Sequence, residues 1–198
     1  MSAPRVECVS GAQIEPYLPA LAALRIAVFR EYPYLYEGSL SYEEAYLRSY
    51  AQSPESTVVL ARDGEQVVGA ATAMPLSLHA EQLAPVLAAG GHDPARIYYF
   101  GESVLLPSYR GLRIGHAFFD AREAAARSHG YTIAAFCAVQ RAEDHPARPP
   151  GYVPHDAFWS KRGYTKRPDL TTRFAWRDVG DAHETEKTMV FWLRELAS

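Results

Sequence analysis

Between residues 96 and 139 the chain reads strand, turn, helix, strand, and few architectures accommodate that order. Arg96 to Leu106 is the longest strand candidate, Pro107 ends it, and Gly101 within it marks a bulge, as a glycine in a strand interior often does. From Arg113 to His129, Ile114, Ala117, Phe118, Ala121 and Ala125 recur on one helical face, Asp120, Arg122, Glu123 and Arg127 fall elsewhere, and Gly130 supplies the C-terminal stop. Tyr131 to Val139 then reads as a buried strand. A helix inserted between two strands returns the chain in the same direction, so this unit predicts a parallel pair inside an α/β fold.

The flanks extend the sheet on both sides. A short strand near Val6 to Val9 precedes a helix over Tyr17 to Arg30, whose Leu21, Leu24 and Val28 share a face. Glu31 to Leu40 is an aromatic loop, and Ser41 with Glu44 reads as a capping box opening a second helix with Tyr42, Ala45, Tyr46 and Tyr50. Ser56 to Arg62 and Glu65 to Met74 form a hairpin around Asp63-Gly64. Pro75 to Pro94, Ala-rich and broken by Pro85, reads as a broken helix or lid inserted between strands. After the polar, Pro-rich loop Gln140 to Val153, a short helix from about Pro154 to Arg162 stops at Gly163. Strands Thr171 to Arg177 and Glu186 to Glu195 close the chain around an Asp178 to Asp181 turn.

Composition removes several function classes. A chain of 198 residues with 48% hydrophobic content suits one domain with one core. Twenty Lys and Arg against 23 Asp and Glu give a net charge of −3, which does not suit a polyanionic nucleic-acid partner. The start, Met1 to Cys8, lacks the apolar stretch of a signal peptide and no stretch suits a bilayer, so the expectation is a cytoplasmic protein without a membrane partner. Cys8 and Cys137, far apart, suggest neither a disulfide framework nor a metal site.

The chemistry concentrates where the long strand turns into the helix: Val104-Leu105-Leu106-Pro107-Ser108-Tyr109-Arg110-Gly111-Leu112-Arg113-Ile114-Gly115-His116. The first amides of a helix lack internal partners and sit at the positive end of its dipole, so they can donate to a pyrophosphate, and glycine lets its oxygens approach the backbone. An ordinary helix start would look similar. No nucleoside-triphosphate loop is present, and the second glycine of a dinucleotide fingerprint is misplaced.

This turn resembles the signature of the GCN5-related N-acetyltransferase (GNAT) superfamily, Gln/Arg-x-x-Gly-x-Gly/Ala after a strand ending in Pro. Arg110, Ile114 and Gly115 match, and Arg113 stands where the first glycine usually does. His155 to Tyr164 is similar to a second family motif, a short helix ending in an aromatic, polar residues, glycine and an aromatic, and the order of elements is the family's over most of the chain. The resemblance implies a mixed, twisted sheet of six or seven strands with helices on both faces. It implies acetyl-coenzyme A (acetyl-CoA) as cofactor with no metal, and transfer to a primary amine, small-molecule or peptide, by direct attack in a ternary complex. A homodimer is left open. A catalytically silent acyl-CoA sensor is the alternative, with a mononucleotide-binding α/β protein behind it.

The resemblance also assigns residues. The cofactor set is Val104, Leu105 and Leu106 beside the pantetheine arm, Arg110, Gly111, Leu112, Arg113, Ile114, Gly115 and His116 at the pyrophosphate, and Phe158 with Trp159 on the short helix. Glu102, the only carboxylate on the long strand, is the candidate base that frees the amine lone pair. The family's thiolate-protonating tyrosine position holds Trp159, so Tyr99 and Tyr164 are the substitutes, with Tyr98 and Tyr152 behind them. Cys137, on the strand after the helix, offers a covalent route that no matched His and Asp supports. Glu31, Tyr32, Tyr34, Tyr36 and Glu37 occupy the acceptor region, where aromatic faces and carboxylates suit an ammonium group or simply pack the loop. Glu143, Asp144 and His145 either form the opposite wall or belong to a solvated loop.

Overall fold

A computed structural model describes residues 4–79 and 81–197, so Met1 to Ala3 of the signal-peptide argument lie outside it, as do Ala80 and Ser198. The chain forms one seven-stranded sheet in the order β1-β2-β3-β4-β5-β7-β6. The strands are β1 (Arg5–Val9), β2 (Thr57–Asp63), β3 (Gln66–Pro75), β4 (Ile97–Leu105), β5 (Ile133–Val139), β6 (Thr165–Trp176) and β7 (Thr185–Glu195). The helices are α1 (Leu18–Phe29), α2 (Leu40–Ala51), α3 (Leu83–Ala89), α4 (Ile114–Ser128) and α5 (Asp156–Lys161). Among the described residues, no helix is long and apolar enough to cross a membrane.

The apolar stripes read from the sequence decide which face each helix covers. Leu18, Leu21 and Leu24 of α1 and Leu47 and Tyr50 of α2 pack with Val58, Leu60, Ala70 and Val104 on one face of the sheet. Ile114 and Phe118 of α4 pack with Val59, Ala61 and Ala71 on the other. The alternation of Val58, Val59, Leu60 and Ala61 between the two clusters is the period of two that a strand buried on both faces requires.

β4 pairs with β3 in antiparallel register, but with β5 it forms only three parallel pairs, Ile97 with Ile133, Tyr98 with Ala134 and Tyr99 with Ala135. Beyond Tyr99 and Ala135 the two strands part. Residues 100–105 of β4 and 136–139 of β5 therefore face a fork, and the β4 edge within it carries no strand partner among the described residues.

Several boundaries differ from the sequence expectation. α2 starts at Leu40 behind Ser39 rather than at a Ser41–Glu44 box, and the Glu43 amide bonds the Ser39 carbonyl. The hairpin turns at Gly64-Glu65, one residue later than expected, with Gly64 at φ 58°. β6 begins at Thr165, before the expected Thr171, because an irregularity between Arg167 and Thr171 lets it bend and still pair with β7. The 75–94 segment is not a loose lid: α3 buries Leu83 and Leu87, and Gly90 lies against Leu170 of β6, so close that a Cβ would meet its Cδ2 at 2.6 Å. Arg122 and Glu123, expected off the packed face of α4, are both buried.

Candidate active site

The turn into α4 has the geometry of an anion site. Gly111 has φ 81° and Arg113 has φ 63°, both left-handed, so the backbone reverses twice within three residues before the helix starts. Left-handed φ costs a residue with a Cβ on the order of 1 kcal/mol, which explains why glycine suits position 113 and shows that the chain tolerates arginine there. The first backbone amides used within the helix are those of His116 and Ala117, both donating to the Arg113 carbonyl at 3.0 and 3.2 Å. Among the described residues the amides of 111–115 make no backbone hydrogen bond. A Cβ on Gly115 would meet only the Phe158 ring, at 3.7 Å, and His116 packs edge-on to the same ring. The Leu106 amide and carbonyl are both engaged, with Val68 and Tyr109, whereas Val104 and Leu105 have no β5 partner and the Leu105 carbonyl accepts from Arg110 Nε at 3.2 Å.

Eight residues upstream of Arg110, where the turn begins, the strand carries its second special feature. Ser103 pairs with Ala71 and Phe100 with Ala73, so Gly101 and Glu102 stand opposite Thr72 alone, which is a β-bulge. Tyr99 and Gly101 lie toward the α2 side, where strict alternation would also send residue 103. The extra residue flips the phase, so Glu102 and Val104 face α1 and α2 while Ser103 meets α4. Position 101 must be glycine: a Cβ there would stand 2.2 Å from the Tyr50 hydroxyl and 2.6 Å from Thr72 Oγ1.

Glu102 is 8% exposed and enters a charged cluster that no local pattern announces. Its Oε2 accepts from Arg25 Nη1 of α1 at 2.7 Å and from the Tyr46 hydroxyl at 3.2 Å, while Arg25 Nε donates to Glu43, itself fully buried. Tyr46 and Tyr50 share a 3.1 Å hydrogen bond, and the Arg25 guanidinium lies 4.5 Å from the Tyr46 ring centre. Although burial opposes its charge, Glu102, Tyr46 and Glu43 push the Arg25 pKa above the ordinary arginine value. One cation thus serves two carboxylates, and among the described residues Oε1 of Glu43 and of Glu102 has no hydrogen-bond partner. His79 completes the cluster, its ring 4.7 Å from that of Tyr99 and about 6 Å from those of Tyr46 and Tyr50. Burial, reinforced by Arg25, lowers its pKa to about 4, so the imidazole is neutral at neutral pH.

The tyrosines named as acids separate. Tyr99 sits where β4 and β5 part, its hydroxyl 3.0 Å from Cys137 Sγ on β5, and burial raises the pKa of both groups, that of Cys137 to about 12. Tyr164 lies on the α4 side among Phe100, Phe119 and Phe136 and donates to Glu123 at 3.1 Å, so the structure does not bring it to Glu102's face. Tyr98 also faces that side, bonded to Thr57 and Glu55. Trp159 packs against Phe136 and Trp192.

The two outer loops meet. Tyr32 packs edge-on to Tyr152 at 4.7 Å and near His145, while Arg141 donates to the Pro33 and Tyr34 carbonyls and forms a two-pronged pair with Asp178 at 2.7 and 2.9 Å. Arg141, which the sequence reading left inside a polar loop, therefore ties three segments together. Tyr34 stacks on Trp176, Tyr36 bridges to Asp178, and burial, with Glu43 beside its hydroxyl, raises the Tyr36 pKa. Glu31 and Glu37 are not free carboxylates: Glu31 pairs with Arg110 of the turn and Glu37 with Arg30, each at 2.9 Å. Among the described residues no group of His, Cys, Asp or Glu could hold a metal ion.

The seven-stranded sheet and the helices around it form a fold that solved acetyltransferase structures share. A ribosomal-protein-alanine N-acetyltransferase from Brucella melitensis superposes with TM-score 0.63 at 15% identity, over 97% of this chain and 99% of that one. An N-acetyltransferase from Staphylococcus aureus gives 0.63 at 14%, over 99% and 100%. A Salmonella typhimurium acetyltransferase solved with its cofactor acetyl-CoA gives 0.59 at 11%, over 100% and 96%. No curated protein matches the chain. The acetyltransferase (GNAT) family model matches residues 21–149, and the chain belongs to that family. It is an acetyl-CoA-dependent N-acetyltransferase. The residues present fit the cofactor: the free amides of 111–115 suit its pyrophosphate, and the open β4 edge suits its amide-bearing arm.

Proposed function

We propose that the chain acetylates a primary amine by direct attack in a ternary complex, with Glu102 as the carboxylate that meets the amine. The observation that supports this reading is the β4 bulge, which turns Glu102 toward α1 and α2 with one oxygen bonded to Arg25 and the other, among the described residues, without a partner. Acetyl-CoA supplies the activated thioester carbon. An alkylamine arrives protonated at neutral pH and cannot attack until it loses that proton. The cluster suits an ammonium group: Arg25 offsets only one of the two buried carboxylate charges, and the rings of Tyr46, Tyr50 and Tyr99 surround the site. Arg25 fixes the direction of the Glu102 carboxylate, Oε1 would accept the amine's proton, and Tyr99, at the end of the parallel pairing, would offer its hydroxyl to the leaving thiolate. Glu31, Glu37 and the loop tyrosines add attraction at the rim, reduced by their own pairing with Arg110 and Arg30. High pKa and burial argue against Cys137 as a covalent relay.

Steady-state kinetics over a broad amine panel tests this reading. Glu102→Gln is expected to lower kcat roughly 100-fold, the scale of general-base catalysis, with acetyl-CoA affinity within about twofold. An unchanged kcat removes Glu102 from the chemistry. Trp159 at the family's acid position, together with the Arg25–Glu102 pair, supports the sensor reading, and tight acetyl-CoA binding with no amine-dependent thiol release across the panel would establish it.

A further inference from the structure

A bulge leaves backbone groups without ladder partners, and those of the β4 bulge are met from the opposite face of the sheet by one side chain of α4. Arg122, 1% exposed, sends Nη1 to the carbonyls of Thr72 and Glu102 at 3.3 and 3.2 Å and Nη2 to Ser103 Oγ at 2.8 Å. Its Nε returns to the Phe118 carbonyl of its own helix at 3.2 Å. The Phe100 and Phe119 rings flank the guanidinium at 4.3 and 4.8 Å. Thr72 completes the frame by accepting the Glu102 amide at 3.2 Å.

Among the described residues, no carboxylate forms an ion pair with Arg122 within 4 Å. Burying a cation in this way costs several kcal/mol, so helix packing alone would favour an apolar residue of similar volume. Burial lowers its pKa to about 10, which still leaves it charged at neutral pH, with Tyr164, Glu102 and Glu123 supporting the charge. The five-donor planar fork is what two carbonyls and a hydroxyl at fixed positions require, and lysine does not reproduce it.

We propose that Arg122 is a positioning residue: it holds the two-residue bulge open and so sets the direction in which Glu102 faces the acceptor. The inference rests on the reading of Glu102 given above. Because Ser103 and Thr72 flank the bulge on either strand, losing the guanidinium frees the strand to resume strict alternation, which turns residue 102 away from Arg25.

The test is a double-mutant cycle on the full chain. Arg122→Lys, Arg122→Met and Ser103→Ala are each measured alone and combined with Glu102→Gln, with thermal unfolding checking that every variant folds. Arg122→Lys is expected to lower kcat at least tenfold and Ser103→Ala two- to threefold, with the KM for acetyl-CoA within twofold. Neither should lower kcat further in the Glu102→Gln background. Equal losses in both backgrounds, or wild-type kcat in a folded Arg122→Lys, overturn the proposal while leaving the role of Glu102 intact. If neither arginine variant folds, Ser103→Ala decides by the same comparison. Full activity of Glu102→Gln alone removes the underlying reading, and the Arg122 proposal with it.

Discussion

The two ends of the fork's first strand solve the binding problem by different means. At the C-terminal end, five consecutive residues, Gly111 to Gly115, have amides without a backbone partner among the described residues, and their side chains matter mainly by staying out of the way. At the bulge, Arg25, Glu43, Tyr46, His79, Tyr99 and Glu102 converge from α1, α2, the segment after β3 and β4, and there the side chains make the proposed acceptor site. A backbone site tolerates most substitutions that preserve φ and ψ. A side-chain site built on buried charge fails when any one partner is removed, because its neighbour is left unpaired.

The largest expected effect breaks the turn by charge rather than by shape. A Cβ at Gly115 meets nothing closer than 3.7 Å, so Gly115→Ala should bind acetyl-CoA within about threefold of the wild type. Gly115→Asp should weaken binding by about 100-fold or more, since it sets a carboxylate against the phosphate at the positive end of α4. Calorimetry reads both, and equal losses for Ala and Asp would show that the turn works by fit and not by field.

The same contrast governs how much could be read from the sequence. The turn was legible because its determinants are contiguous: a proline, two glycines and a helical stripe each act within a few residues. The parallel crossover followed for the same reason. Gly101 announced the bulge, but which way the bulge would aim Glu102 depends on Tyr50 and Thr72, 51 and 29 positions before it, so the Arg25 pair stayed hidden. Arg122 looked like a surface arginine since helical periodicity counts charge as exposure, and only the unpartnered carbonyls of a neighbouring strand reverse that. His79 and Arg141 sit in segments without periodicity and carried no signal at all.

A smaller effect probes the acceptor wall. Burial opposes ionisation of Asp178, but hydrogen bonds from Arg141 and Lys187 hold its pKa below the usual carboxylate value. A depressed folded pKa gives stability that is full above the unfolded value of about 3.9 and lost as pH falls through the folded one. Asp178→Asn should therefore destabilise the chain by on the order of 2–3 kcal/mol at pH 7. The gap to wild type should close below about pH 4. Because Arg141 then loosens from the Pro33 and Tyr34 carbonyls, the amine KM should rise while acetyl-CoA affinity holds. A parallel loss of cofactor affinity would mean that the two regions are not separable.

The smallest effect lies within the turn. Arg113→Gly relieves the left-handed strain at φ 63° but adds backbone freedom to the unfolded chain, so a net stabilisation of about 0.5 kcal/mol is expected. Destabilisation, seen as a lower thermal midpoint, would show that the Arg113 side chain contributes contacts that outweigh its backbone cost.

The most direct test of the division along β4 is backbone amide NMR of the 15N-labelled protein titrated with CoA. The largest shifts should fall on the amides of residues 111–115 and of the open edge at 103–105, with the Arg25 and Glu43 amides little changed. Largest shifts on α1 and α2, with residues 111–115 unmoved, would contradict the assignment of the turn as the cofactor site.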